Sequence, residues 1–263
     1  MDLHLQGQRA LVTGASRGFG FATARGLVNE GCAVTINSRN PEKLDKALQR
    51  LVGEAQTPVF ACPGDLADPA FCQQLVEDSA AQMGGIDLLV TNAGGPPAGS
   101  FESFDDTAWE QAIELSFLSH MRLIRAALPY LRESLAASVL TVTSYSVKQP
   151  IPKLILSNSI RAATVGLTKT LALELGHEGI RFNSILPGWT ETERVYELMK
   201  YRTETNHTTF EEEMQTQMAN CPLGRMASPE EFANVAVFLL SPAAGYVTGA
   251  MLAVDGGMYK GTL

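Results

Sequence analysis

The apolar run Arg9–Val12 leads directly into Thr13-Gly14-Ala15-Ser16-Arg17-Gly18-Phe19-Gly20, and a helical pattern begins there without a break. A second apolar, β-branched run, Ala33–Asn37, comes about 20 residues later. Strand, glycine-rich turn, helix and strand in this order constrain the chain more than any other feature it has. Glycine triplets occur in many turns, but one that leaves a strand and opens a helix is the setting of a dinucleotide-binding βαβ unit. In that setting Gly14 permits the tight turn, Gly18 lets the backbone approach a pyrophosphate, and Gly20 allows the helix to pack closely on the strand. The free N–H groups and the positive dipole end of the helix attract phosphate. Gly14, Ser16, Arg17, Gly18, Phe19 and Gly20 are therefore the first candidate contacts. A P-loop is excluded, because no Gly-Lys-Ser/Thr follows.

The rest of the chain repeats the alternation. Pro58–Cys62, Asp87–Thr91, Val139–Thr143, Arg181–Leu186 and Met251–Val254 read as strands. Amphipathic stretches lie between them, such as Gly20–Glu30, Pro41–Val52, Pro69–Met83, Thr107–Leu135 and Pro229–Leu240. Strands that are apolar throughout need cover on both faces. The pattern predicts an α/β fold, a single Rossmann-type domain over residues 1–263. Its sheet would be doubly wound and mostly parallel, with about seven strands and ligands at their carboxyl ends. Glu193–Cys221 breaks the rhythm: it is long, polar and rich in Glu and Thr, which predicts a loop acting as a substrate lid. Glu211-Glu212-Glu213 reads as the solvated face of a lid helix, and Trp189 and Met199 as lid packing or substrate contacts.

Composition narrows the classes. Hydrophobic residues at 45% and charged residues at 18% argue against disorder and coiled coil. A formal net charge of −8 without a basic stripe argues against nucleic-acid binding. No apolar run reaches the length of about 20 residues that a bilayer requires. The acidic, polar opening Met1–Gly7 predicts no secretory leader. Cys32, Cys62, Cys72 and Cys221 form no CxxC pair, so free thiols in a reducing cytoplasm are expected. His4, His120, His177 and His207 are scattered, so no metal is expected, and no Gly-x-Ser-x-Gly elbow suggests a hydrolase.

The end of the second strand reads Asn37-Ser38-Arg39-Asn40. An acid here would hold an NAD ribose and repel a 2′-phosphate, whereas Ser38 and Arg39, with Arg17 nearby, suit that phosphate. NADP(H) is favoured over NAD(H), the bland alternative being that Arg39 is a solvated helix-start residue.

Further segments complete a recognisable order: Gly64-Asp65-Leu66, Asn92-Ala93-Gly94, Pro187-Gly188 with Thr192, Pro222-Leu223-Gly224-Arg225 and Val254-Asp255-Gly256-Gly257. With Thr13–Gly20 they make the chain resemble the short-chain dehydrogenase/reductase family over essentially its full length. It looks closest to the 3-oxoacyl-carrier-protein reductase-like members. The resemblance implies that Asp65, with Leu66, meets the adenine ring. It implies that Asn92, with Ala93 and Gly94, steadies the central strand beside the coenzyme. It also implies that Pro187, Gly188, Thr190 and Thr192 flank the nicotinamide, and that the chain forms a homo-oligomer, tetramer or dimer.

The family's working groups are Asn, Ser, Tyr and Lys, with Tyr and Lys one helical turn apart. The helix from Arg161 to Glu174 matches the family's helix and places Arg161 where the lysine belongs and Ser157 where the tyrosine belongs. Ser144 keeps the serine, and Ser116 stands for the asparagine. An aliphatic hydroxyl is a far weaker acid than a phenol, and Arg161 stays protonated. Arg161 would then bind the nicotinamide ribose or face a developing oxyanion. Ser144 and Ser157 would orient a carbonyl or a water. Tyr145, Lys148 and Lys153 are weaker substitutes, since adjacent residues leaving a strand point oppositely and Tyr145 should face away from Ser144. Two readings stay open: an NADP(H)-dependent oxidoreductase with an altered proton route, and a nucleotide-binding sensor or assembly subunit without redox turnover.

Overall fold

β4 (Leu88–Thr91) is buried at every position and β1 (Arg9–Val12) at all but its first. That is the pattern of strands covered on both faces. They lie at the centre of the structure, a computed structural model that describes residues 1–262. The remaining strands are β2 (Ala33–Ser38), β3 (Val59–Pro63), β5 (Ser138–Val142), β6 (Arg181–Pro187) and β7 (Met251–Val254). Among the described residues they form one parallel sheet in the order β3-β2-β1-β4-β5-β6-β7. The chain reverses direction across the sheet between β1 and β4, where Val12 pairs with Val90. A crevice opens there at the carboxyl ends.

Helices α1 (Gly18–Asn29), α2 (Pro41–Val52) and α9 (Pro229–Leu240) cover one face, packing Leu27, Leu44 and Phe232 against Val12 and Ile36. Helices α3 (Pro69–Met83), α5 (Ser119–Arg132) and α6 (Ile155–Leu175) cover the other, with Leu75, Leu123 and Ala172 on Leu89 and Phe182. The starts are set locally. Asn40 accepts the Lys43 N–H at 2.8 Å ahead of Pro41, and Asp68 accepts the Ala70 N–H at 2.9 Å ahead of Pro69. Ser228 and Glu231 form a reciprocal cap around Pro229. Below the sheet, Arg9 grips the Asp87 carboxylate through Nε at 2.8 Å and Nη2 at 2.7 Å, and the Ser134 hydroxyl donates to it at 2.6 Å. Burial alone would raise the Asp87 carboxyl, but these donors hold it below the usual carboxylate range.

Two expectations need correction. The single helix over Thr107–Leu135 is α4 (Asp106–Ile113), a π turn at Glu114–Leu118 and α5. The Ser119 hydroxyl donates to the Leu115 carbonyl inside the break, the kind of side-chain bond that disturbs a helical ladder. The segment expected as a long loop, Glu193–Cys221, is largely helical: α7 (Glu193–Asn206) and α8 (Phe210–Met218). Thr192 caps α7, and Thr209 with Glu212 forms a capping box on α8. Glu211 and Glu212 are exposed as expected, but Glu213 is buried and accepts from Asn206 Nδ2 and Thr208 Oγ1, both at 2.8 Å.

Candidate active site

The glycine loop sits in the crevice. Gly14 has φ +58°, and a Cβ there would lie 2.5 Å from the Asn92 carbonyl oxygen. A Cβ on Gly20 would lie 2.4 Å from the Gly14 oxygen, so helix and loop meet closely. The Thr13 hydroxyl donates to the Asn92 carbonyl and accepts the Asn92 N–H, both at 2.9 Å, while Asn92 Nδ2 donates to the Gly14 oxygen at 3.1 Å. Asn92 thereby locks β4 to the loop that follows β1. Thr13 was not singled out from the sequence.

The main cleft runs from this loop in two adjoining parts of about 230 and 250 Å³. The first is lined by Ser16, Arg17, Ser38, Arg39, Asp65 and Leu66, with Asn92, Ala93 and Gly94 shared with the second. Asn37 is buried and spends its amide on the Cys62 carbonyl at 2.9 Å, so the strand end presents no acid. Asp65 comes within 4.0 Å of the Arg39 guanidinium, both groups about half exposed or more, which makes a weak pair. Lys43, one turn into α2, joins this wall. Its place in the first turn after Arg39 could have marked it.

The second part leads past Gly18, Phe19 and Thr192 to Arg161. There it meets an inner chamber of about 110 Å³ at the ends of β5 and β6, lined by Ser144, Tyr145, Ser157, Pro187, Gly188 and Trp189. Ser144 Oγ accepts the Ser146 N–H at 3.1 Å, starting a single 3₁₀ turn. Ser157 and Arg161 face the chamber from one side of α6, as their spacing requires. Arg161 is buried and donates through Nη1 to the carbonyls of Val142 at 3.0 Å and Thr143 at 3.1 Å. Burial, then the Arg194 cation, pushes it down to about 10, so it is still charged at neutral pH.

Tyr145 corrects the alternation argument. β5 ends at Val142 and the backbone turns, so Tyr145 lines the same chamber as Ser144. Burial foremost pushes its phenol up to about 12. Ser116 is not among the residues lining the cleft or the chamber. It lies in the π turn, buried, with its carbonyl accepting the Thr164 hydroxyl at 2.9 Å and its own hydroxyl unpartnered. Thr190 is likewise buried beside a bridge to Ala227, away from the cleft lining. Gly20 acts by packing rather than by lining. His120, one turn beyond Ser116, is fully buried with Nδ1 at 2.7 Å from Thr91 Oγ1.

α7 reaches across the cleft. Arg194 donates to the Pro96 carbonyl, and Glu197 pairs with Arg17 at 3.5 Å and Arg194 at 3.8 Å. Trp189 and Met199 are buried in the cluster beneath α7. Sequence patterning did not single out Arg194 or Glu197: an i,i+3 charge pair is ordinary on a helix, and the contacts that place it here, Pro96 and Arg17, are distant in the chain. Among the described residues no group of three His, Cys, Asp or Glu could hold a metal, and no helix is long and apolar enough to cross a membrane.

This architecture defines a class. Residues 14–259 match the family described as enoyl-(acyl carrier protein) reductase. A 2,3-dihydro-2,3-dihydroxybenzoate dehydrogenase of Bacillus subtilis is 32% identical over 257 residues, which cover 98% of each chain. The L-sorbose reductase of Gluconobacter frateurii, solved with NADPH and L-sorbose, superposes with a TM-score of 0.94 at 32% identity, covering 99% of this chain and 100% of that one. A short-chain oxidoreductase of Pseudomonas aeruginosa PAO1, solved with NADPH and described as containing an atypical catalytic centre, superposes at 0.88 with 30% identity, covering 97% and 98%. The chain belongs to the short-chain dehydrogenase/reductase family. It is an oxidoreductase: its relatives are named dehydrogenases and reductases, and several of the solved neighbours hold NADPH.

Proposed function

We propose that the protein is an NADP(H)-dependent oxidoreductase acting on a carbonyl, an alcohol or an activated double bond, with a non-standard proton-transfer site. The observation that carries this reading is a shared wall: Arg161 and Thr192 line both the main cleft and the chamber where Ser144, Tyr145 and Ser157 converge. The residues present fit the coenzyme. Bare backbone at Gly14, Gly18 and Gly20, with Ser16 and Phe19, suits the pyrophosphate. Arg17, Ser38, Arg39 and Lys43 suit a 2′-phosphate, and Asp65 and Leu66 suit the adenine. Pro187, Gly188 and Thr192 would flank the nicotinamide, which supplies or accepts the hydride when bound.

The chain's own groups do the rest. Ser144 and Ser157 donate to the substrate oxygen. Arg161, held by two strand-end carbonyls, keeps a fixed positive charge beside the oxyanion that develops there, and its remaining N–H groups face that oxygen or the ribose hydroxyls. The proton arrives through water or from Tyr145, whose phenol is fully protonated at neutral pH but is a weak acid. Self-association into a dimer or tetramer is supported by exposed apolar side chains on the helices, among them Ile113 and Leu173. Light scattering tests it.

The decisive experiment titrates NADPH and NADH by protein fluorescence and then follows NADPH oxidation with aldehydes, ketones, β-ketoacyl thioesters and enoyl thioesters. Preferred NADPH binding and turnover of at least one class are expected, with turnover lost in Ser144→Ala. Binding without turnover of any class would leave the second reading, a nucleotide-binding protein without redox activity.

A further inference from the structure

Under the lid, beyond the inner chamber, lies a second cavity of about 160 Å³. It shares Leu154, Trp189 and Leu198 with the chamber, so the two adjoin at an apolar neck. Its outer wall is cationic. Lys153 and Arg202 line it, and neither lies within ion-pair distance of a carboxylate among the described residues. The acid that both cations act on is Glu213, and its carboxylate is already held by Asn206 and Thr208. Arg202 sits 5.7 Å over the Trp189 ring. The ring of Trp189 thus forms the floor beneath Arg202, with its indole nitrogen turned into the protein. Lys153 is one of three non-glycine residues with positive φ among the described residues, at +61°, and its carbonyl takes the Gly99 N–H at 2.7 Å. Strained backbone of this kind is found where a structure holds a ligand-facing group in place.

We infer that this cavity is a subsite for a carboxylate carried by the substrate at a distance from its reacting carbon. The inference rests on the oxidoreductase reading for the word substrate, though not for the binding itself. The reacting carbon would sit at Ser144, Ser157 and Arg161, an uncharged stem would run along Leu154, Trp189 and Leu198, and the carboxylate would meet Lys153 and Arg202. The substrate class is thus an oxo- or hydroxy-acid with its two functional ends apart. Charge favours a monoanion. Lys153, Arg202 and Glu213 together carry one net positive charge, which a single carboxylate neutralises and a dianion would exceed.

The test compares straight-chain monocarboxylates, butyrate through octanoate, with their methyl esters. Binding is measured by calorimetry on the protein with and without NADP⁺, and NADPH oxidation is followed in parallel with keto acids and their methyl esters. The free acids should bind about 10- to 100-fold more tightly than the esters. Lys153→Ala and Arg202→Ala should each abolish most of that advantage with NADPH affinity unchanged, and Lys153→Arg should restore it. Esters equal to acids, or variants that keep the discrimination, would overturn the subsite. Turnover of neutral ketones without any preference for acids would likewise overturn it while leaving the oxidoreductase reading intact. Selective acid binding that the variants lose, with no turnover of any compound, would uphold the subsite and remove the oxidoreductase reading instead.

Discussion

The main cleft and the inner chamber share a wall yet are built differently. Backbone shapes the cleft: Gly14 and Gly20 leave no room for a Cβ, and Thr13 and Asn92 join β1 to β4 through main-chain partners. Side chains shape the chamber: Ser144, Tyr145, Ser157 and Arg161 line it with polar groups and Trp189 with its ring. A change in the first kind of wall moves the chain, whereas a change in the second alters chemistry and leaves the chain in place. Backbone of the first kind can therefore be kept while the side chains of the second vary.

The largest effect is expected behind the shared wall. Burial first, then the Arg161 cation, pushes His120 from 6.5 down to about 3. The folded state then binds fewer protons than the unfolded state between those values, so this stability is complete above pH 6.5 and is lost as pH falls. Urea unfolding should lose on the order of 3 kcal/mol between pH 6.5 and about 4, and His120→Gln should remove that slope. A variant with the wild-type slope would mean that His120 is not what couples folding to pH. Next comes Ser144→Ala, which should lower kcat roughly 100- to 1000-fold with NADPH affinity unchanged. An equal loss of NADPH affinity would break the division between the two regions. Gly14→Ala should do the reverse in kind, weakening NADPH and NADH alike by about 10- to 100-fold through overpacking, with thermal unfolding as the control for folding. The smallest effect belongs to Arg39→Ala or Lys43→Ala, each weakening NADPH about fivefold and leaving NADH unaltered, since these cations are solvent-screened. Equal losses for both coenzymes would show that these groups do not meet a 2′-phosphate.

The strands were legible because runs buried on both faces need no partner to identify them, and their ends shift by one residue at most. The glycine loop was legible because its backbone demands particular residues. The π turn was hidden, since Leu115, Leu118 and Leu123 keep an apolar face across the break. The lid helices carried readable caps at Thr192 and Thr209 beneath a composition that looks like loop. In the chamber, Ser144, Ser157 and Arg161 were found from the resemblance of the Arg161–Glu174 helix to the family's helix. Tyr145 was misplaced because strand alternation was carried one step past the strand's end. Arg194, Lys153 and Arg202 owe their places to tertiary contacts and could not be ranked from local pattern alone, whereas the position of Lys43 just after Arg39 was a readable sign.

Arg194 has a corollary for binding. It leans from α7 onto the Pro96 carbonyl while standing, with Thr192, in the boundary of both compartments. A molecule that shifts Arg194 in one compartment would alter its contact with the other, and such linkage is reciprocal: coenzyme and substrate should change each other's affinity by the same factor.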